Sequence, residues 1–411
     1  AAMLLRHQAA FAGMGNLMNP AVLQASIKAV SSLVACVVLG TLVAGPGKPL
    51  DAEACATLSR LIYNVLQPAL LLTSVATTIT RAGGIGAAAQ LFVLPAFAAL
   101  QIAAGAILGL GLVSLFGWRK SGTNAKELQI CSTFGNSGPL PLLLVDAFFR
   151  NHPDPTLLPA AVGYVSFYLL GWSPAFWTFA SAIAATPEPK SAAKPQAVAE
   201  AEAGEKKSPL KAFTDWYASP WGKRMLSPPI IGCMSGLTIA SVPLLSTLFL
   251  GPTAPFSPLT DAIRTIGSGY LPCVVLVLAG SFANSAARGG AAGEVASSWE
   301  AKVAGMQRAR QTKALLSILC ARFLIMPAVA LGMMTGLTQL GLVSPTNHLL
   351  RFILLMEGCM PSAQNSVVIL SMNGDKDGAG RMAKTIAALY ILAIMPMTLL
   401  VGGAISFTGL V

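Results

Sequence analysis

The sequence predicts an all-α membrane protein with ten transmembrane helices, arranged as two inverted five-helix repeats. Three observations predict this fold: long apolar runs recur along the chain, charged residues are confined to the stretches between them, and the two halves carry similar motifs in the same order. Of the 411 residues, 54% are hydrophobic and only 10% are charged, whereas soluble domains carry about 25% charged residues. Runs of this length can cross the hydrocarbon core as helices.

The predicted spans are separated by short charged loops and by one longer linker. Their approximate limits are residues 19–43, 54–80, 87–116, 127–149, 157–183, 226–250, 259–284, 314–339, 346–371 and 382–408. The first repeat is expected to cover residues 1–183 and the second residues 226–411. Residues 184–225 are rich in Ala, Pro, Lys and Glu, a composition that cannot bury enough apolar surface to fold alone. They are predicted to form a largely disordered linker.

The distribution of basic residues predicts the orientation of the chain. The net charge is +11, and most Lys and Arg residues follow odd-numbered spans or lie in the linker. Because cytoplasmic loops of membrane proteins are enriched in these residues, the linker is expected to be cytosolic and both termini to face the outside or a lumen. The charge therefore indicates a membrane protein rather than a nucleic-acid-binding protein, and a location in the plasma membrane or the endoplasmic reticulum is expected.

The two halves repeat each other. "YLLGWSP" at 168–174 matches "YILAIMP" at 390–396, and the same offset relates Pro139 to Pro361. Since each half contains an odd number of spans, the repeats must have opposite orientations in the membrane. Inverted repeats with helices broken at corresponding positions are typical of secondary transporters.

Two spans carry prolines together with polar residues in their middle. The fourth contains "FGNSGPLP", with Asn136, Pro139 and Pro141, and the ninth contains "EGCMPSAQN", with Pro361 and Asn365. Proline opens a helix, and in a membrane the freed backbone groups must be satisfied by protein or by a water-filled cavity. If the two breaks cross, their half-helix N-termini favour an anion such as a carboxylate. Ordinary proline kinks are the alternative.

Charged residues within the spans are candidate functional groups, because each costs about 2.5 kcal/mol or more to insert. Glu357 is expected to act as a proton carrier or cation ligand, or else as a paired structural acid. Lys28 is expected to pair with Glu357 or Asp146, or to attract the anion. Asp146 and Arg150 have the i,i+4 spacing of an interfacial ion pair, and Arg322 is expected to extend toward the cytosol.

Polar residues of the second span are further candidates. Asn64, Gln67 and Ser74 either line the anion cavity or join helices by hydrogen bonds. The seven cysteines form no CxxC pair and no Cys/His spacing, so neither a metal site nor a cofactor is expected. No catalytic constellation is present, and an enzyme is not expected.

Four segments of the sequence resemble the auxin efflux carrier superfamily, which includes the PIN and PIN-LIKES proteins. They are "NPAVLQASIKAVSSLVACVVLG", "LSRLIYNVLQPALLLTSVATTIT", "STFGNSGPLPLLLV" and "GCMPSAQNSVVIL". The resemblance covers both membrane halves but not the linker, whose short length is similar to that of the PIN-LIKES proteins.

The resemblance implies a mechanism as well as a fold. Helices 1, 2, 6 and 7 would form a scaffold, through which a homodimer would assemble, and helices 3–5 and 8–10 a moving transport domain. Asn136, Pro139, Pro141, Pro361 and Asn365 would lie at the substrate crossing. The expected function is elevator-type export of a small organic carboxylate such as indole-3-acetic acid. Sodium-coupled anion symport and a non-transporting sensor of the same anion remain as alternatives.

Overall fold

A computed structural model of the protein describes residues 38–118, 123–184, 226–289, 298–372 and 376–410, apart from positions 46 and 252, and four isolated positions before residue 38. Within these residues the regular structure is helical, with two isolated β-bridges at Ala44–Leu50 and Gly135–Ser362. Most of the predicted first span, including Lys28, and nearly all of the predicted linker lie outside the described residues.

Among the described residues from position 52 onward, the first half contains five helical segments. They are α1 (Ala52–Arg81), α2 (Ala87–Leu115), α3 (Thr123–Thr133), α4 (Pro139–Phe149) and α5 (Leu157–Ala175), which continues through a π turn at Phe176–Ala180 to Ser181–Ala184. The carboxylate of Asp51 caps α1 by accepting hydrogen bonds from the backbone N–H groups of Glu53 and Ala54. This satisfies two of the N–H groups that a helix start leaves without partners.

The second half contains nine helical segments among the described residues. They are α6 (Pro228–Ser241), α7 (Pro243–Phe249), α8 (Ser257–Ser268), α9 (Tyr270–Gly289), α10 (Ser298–Cys320), α11 (Met326–Gln339), α12 (His348–Gly358), α13 (Ser366–Met372) and α14 (Lys376–Thr408). A π turn at Ala321–Ile325 joins α10 to α11. The Asn347 side chain caps α12 by accepting a hydrogen bond from the Leu350 N–H.

Two predicted spans are less regular than the sequence indicated. The sixth is bent by 103° between α6 and α7, because Val242 is extended and precedes Pro243, a position that disfavours helical backbone. The seventh is divided at Gly269 into α8 and α9. Glycine is a weak helix former, so the division falls where helical propensity is low.

Four helical stretches in the described part of the chain are long and apolar enough to cross a membrane, or five if the bent pair α6–α7 forms one span. Their outer surfaces are apolar: Ile107 is 73% exposed, Leu324 68% and Met395 72%. Exposed apolar surface of this extent is typical of a membrane-facing protein. The structure is therefore that of an all-helical membrane protein, while the count of ten spans and the inverted repeats stay predictions.

Glycines allow two sets of helices to approach closely. A Cβ atom on Gly232 or Gly236 of α6 would overlap the α1 backbone at Pro68 or Leu72. A Cβ on Gly105 of α2 would likewise crowd the Thr133 carbonyl at the end of α3. Small residues at these spacings let membrane helices pack backbone to backbone. The division into scaffold and transport domains stays a prediction, and these contacts are compatible with it.

Candidate functional site at the crossing of two broken helices

The fourth and ninth predicted spans are both interrupted near their middle. Helix α3 ends at Thr133 and α4 begins at Pro139, while α12 ends at Gly358 and α13 begins at Ser366. Pro139 starts its helix at a position where the missing N–H costs nothing. Pro361 lies between α12 and α13. The helix limits are therefore consistent with the prediction that the two spans break at Pro139 and Pro361.

The two breaks cross and pair with each other through backbone hydrogen bonds. The Asn136 N–H donates to the Pro361 carbonyl (2.7 Å), and the Ala363 N–H donates to the Phe134 carbonyl (3.0 Å). The bridge between Gly135 and Ser362 is antiparallel, so the two segments run in opposite directions. Backbone groups freed by the broken helices thus satisfy one another, as burial away from water requires.

Side chains add a second layer of bonds to the crossing. The Asn136 amide donates to the Tyr390 hydroxyl (2.5 Å), which in turn donates to the Ser362 carbonyl (3.2 Å). The Ser362 hydroxyl donates to the Cys131 carbonyl (2.7 Å) in the last turn of α3. Asn136 and Ser362 are 3% and 0% exposed. Tyr390 was not predicted as a site residue, although the repeat motif "YILAIMP" contains it.

Arg322 lies inside the protein, in contrast to the prediction that it extends toward the cytosol. It is 2% exposed. Its Nε and Nη2 atoms donate to the Met360 carbonyl (3.0 and 2.8 Å), and Nη1 lies 3.5 Å from the Ser132 carbonyl. The prediction was wrong because it counted the depth of Arg322 along one span. The carbonyls that accept its hydrogen bonds belong to two other spans, and no sequence pattern indicates that they lie beside Arg322.

A small cavity lies beside the crossing and contains Glu357. Its lining is mostly polar and includes these residues: Gln101, Thr133, Gly135, Ser137, Tyr168, Trp172, Arg322 and Glu357. The space open to the centre of a water molecule is about 10 Å³, close to the minimum for a single water. The cavity in this conformation is therefore too small for an organic substrate.

Several polar atoms facing this region have no hydrogen-bond partner of standard geometry in the described part of the chain. They include both carboxylate oxygens of Glu357, Nε2 of Gln101 and Nε1 of Trp172. Glu357 is 1% exposed, and Gln101 accepts a hydrogen bond from the Tyr168 hydroxyl (2.5 Å) through its Oε1 atom. Buried polar groups are rarely left without partners, so these atoms indicate a site for water or for another polar group.

Aromatic rings form one side of the crossing. Trp172 stacks on Phe176 with ring centroids 4.6 Å apart and planes 10° apart. Phe134, which accepts the backbone hydrogen bond from Ala363, packs edge-on against both rings. These contacts pack α5 and the π turn that follows it against the backbone pairing.

Of the other predicted site residues, those on α1 lie away from the cavity, while Pro141 and Asn365 lie beside the two breaks. Asn64 is exposed on α1 and donates to the Arg60 carbonyl (2.8 Å). Gln67 and Ser74 are half-buried on the same helix, and none of the three lines the cavity. Pro141 is buried in the first turn of α4, and Asn365 is half-buried just before α13.

Asp146 forms an ion pair at the opposite end of α4 from the crossing. Its carboxylate contacts Arg150 through two bonds, at 2.5 and 3.2 Å, which agrees with the i,i+4 pair expected from the sequence. The Arg150 side chain is 66% exposed, so this pair lies at the protein surface. The described residues contain no group of three or more His, Cys, Asp or Glu side chains that could bind a metal ion.

An all-helical membrane protein whose broken helices cross at buried polar groups belongs to the class of membrane transport proteins. A family model described as "Membrane transport protein" matches residues 25–401. The chain therefore belongs to this family, and the resemblance to the auxin efflux carriers is confirmed at the level of the family.

Three PIN-LIKES proteins of Arabidopsis thaliana are similar to this chain. Identity to PIN-LIKES 1 is 21% over 373 residues, which cover 85% of this chain and 72% of that protein. Identity to PIN-LIKES 5 is 23% over 351 residues, covering 77% and 81%. Identity to PIN-LIKES 2 is 30% over 152 residues, which cover 37% of this chain but only 29% of that protein.

Proposed function

We propose that the protein is a secondary transporter that moves a small organic carboxylate, such as indole-3-acetic acid, out of the cytosol. The observation that carries this proposal is the antiparallel pairing of two broken helices at Asn136 and Pro361. The pairing is buried, and the chain belongs to a membrane transport family. Broken helices at corresponding positions of two repeats are where secondary transporters bind their substrates.

The start of α4 is the part of the crossing best suited to a carboxylate. No side chain caps this helix. Pro139 and Pro141 have no N–H group, and the Leu142 N–H donates to the Gly138 carbonyl, so the Leu140 N–H and the positive end of the helix dipole are what this helix start offers an anion. Tyr270, the first residue of α9, lies close to this helix start: its hydroxyl is 3.6 Å from the position that a Cβ on Gly138 would occupy. Tyr270 is thus a candidate donor that the sequence did not indicate.

Transport requires a second conformation, because the present cavity has room for about one water. We propose an elevator-type movement in which the crossing, with its paired backbone segments, moves as a unit against α1, α6 and α8. The homodimer, the cytosolic linker and the choice between plasma membrane and endoplasmic reticulum belong to the same proposal.

We propose Glu357 as the residue that carries a proton during transport. It is buried, it lines the cavity beside the crossing, and it lies in the last turn before the break. A carboxyl group that exchanges a proton as the cavity opens and closes would couple substrate movement to a pH gradient.

Uptake of radiolabelled indole-3-acetic acid into proteoliposomes tests the function. Asn136→Ala is expected to lower saturable uptake by about tenfold or more, a change of about 1.4 kcal/mol, because the crossing loses its bond to Tyr390. Thr247→Ala, at an exposed position of α7, is the control and should retain wild-type uptake. No saturable uptake by the wild type under any gradient would exclude this substrate, and other carboxylates would then be screened.

The same assay tests the role of Glu357. Glu357→Gln keeps the size of the side chain but removes the ionisable group, so uptake should persist and lose its response to a pH gradient. Glu53→Gln, at an exposed position near the start of α1, should retain that response. A pH response that survives in Glu357→Gln would show that another group, or the membrane potential alone, drives transport.

A further inference from the structure

Three sources of negative charge converge on the guanidinium group of Arg322. The Met360 carbonyl follows the C-terminal end of α12, and the Ser132 carbonyl lies in the last turn of α3. Both are therefore at the negative ends of half-helix dipoles. Glu357, in the last turn of α12, lines the same cavity as Arg322.

In some membrane transporters, free coupling cations occupy such places. Carbonyl and carboxylate oxygens are ligands for hard cations, and the C-terminal ends of broken helices coordinate coupling ions in transporters of several folds. In this chain the guanidinium already donates three hydrogen bonds to the two carbonyls, of 2.8, 3.0 and 3.5 Å. The positive charge is delivered by a covalently attached side chain.

The packing around Arg322 leaves room for this group in particular. A Cβ atom on Gly135 would overlap Nη2 of Arg322, so glycine at this position of the crossing lets the guanidinium approach the backbone closely. Arg322 itself sits in the π turn Ala321–Ile325, directly before Met326 and Pro327. π turns are often found at functional sites.

We propose that Arg322 is a tethered counter-cation: it occupies the place of a free cation at the paired C-terminal ends of α3 and α12, so the crossing holds together without a bound metal ion. Arg322 is thus a positioning residue that acts through the two carbonyls. The proposal deepens the proposed function, since it makes transport independent of sodium. It predicts that the crossing becomes sensitive to free cations only when the guanidinium is removed.

The experiment measures thermal unfolding of purified protein in detergent, with choline, sodium or millimolar methylguanidinium as the only added cation and with no substrate. Wild-type unfolding should be the same in all three. Arg322→Ala should unfold several degrees lower in choline, because two buried carbonyls lose their donors, and methylguanidinium should restore part of that loss. Arg322→Lys, which keeps the charge but not the forked donor geometry, should lie between them.

Arg351→Ala is the matched control. Arg351 lies near the outer end of α12, donates to the Pro345 carbonyl and packs over the Phe407 ring, so its loss should produce no cation-dependent recovery. Gly135→Ala is the second variant and keeps Arg322 in place while displacing its guanidinium; it should unfold at a lower temperature than wild type even if Arg322→Ala does not fold.

Stabilisation of the wild type by sodium would overturn the proposal, and so would an Arg322→Ala protein that unfolds like wild type. Recovery by sodium and methylguanidinium equally in the Arg351→Ala control would also overturn it, because the effect would then be unspecific. These readouts need no substrate. An absence of carboxylate uptake would therefore contradict the proposed function and leave the role of Arg322 to be decided by the unfolding temperatures.

Discussion

Tyr390 is the central residue of the side-chain hydrogen-bond network at the crossing. Its hydroxyl accepts from Asn136 of the fourth predicted span and donates to the Ser362 carbonyl of the ninth, while Tyr390 itself belongs to α14. One hydroxyl therefore joins three spans that are far apart in the sequence. A group in this position must both accept and donate, which a phenol can do and a benzene ring cannot.

Tyr390→Phe should lower the free energy of unfolding by about 1–3 kcal/mol, because the buried Asn136 amide and Ser362 carbonyl lose a partner. Thermal denaturation in detergent measures the loss. Tyr164→Phe is the control, since Tyr164 is only half-buried on α5, and it should unfold close to wild type. Equal effects of the two substitutions would contradict the assigned role of Tyr390.

At the scale of elements, α1 and α6 are packed closely against each other. Gly232 and Gly236 are spaced i,i+4 on α6 and lie against the α1 backbone at Pro68 and Leu72. In lipid, where water does not drive helices together, such contact depends on small residues and close packing. Both helices belong to the predicted scaffold.

Gly232→Ala is expected to destabilise this pair by about 1–3 kcal/mol, because the added methyl group must push two backbones apart. Gly336→Ala on α11 is the matched control: nothing lies within 4 Å of a Cβ there. It should be neutral or stabilising by up to about 1 kcal/mol, as expected when alanine replaces glycine in an open helix. Denaturation curves in detergent compare the two, and an equal loss in both would refute the close approach.

At the scale of the whole molecule, contacts between helix ends define two opposite sides of the helical structure. Near the starts of α3 and α14, Glu127 accepts from Arg381 (2.9 Å) and Lys126 donates to the Ala184 carbonyl (3.3 Å). At the other side, the His348 ring contacts the Thr408 carbonyl at the end of α14. The first side carries the basic loops that predict a cytosolic location.

Single cysteines test this orientation with a membrane-impermeant maleimide applied to intact cells. In a background without the native cysteines, Thr346→Cys should be labelled from outside, because Thr346 lies in the loop before α12 and is exposed. Lys313→Cys, exposed on α10 near its predicted cytosolic side, should react only after permeabilisation. The reverse pattern would invert the predicted topology. If the protein resides in an internal membrane, the same comparison applies to sealed vesicles.

The sequence predicts the breaks well because proline and glycine act locally. Pro139 and Pro361 interrupt their own helices, and the polar residues beside them identify the crossing. Arg322 and Tyr390 were missed as site residues because their roles depend on which spans pack together. Asn64, Gln67 and Ser74 were chosen as polar residues of an apolar span, and that pattern does not distinguish the cavity from the helix surface.

The pairing at the crossing also joins parts of the chain that are synthesised far apart in time. Asn136 and Tyr390 are separated by 254 residues, and Ser362 and Cys131 by 231. Closing contacts over such distances along the chain is slow compared with local helix formation. The first half therefore leaves the ribosome with the broken segment around Asn136 still unpaired. The partners of this segment belong to the last helices, which are synthesised later.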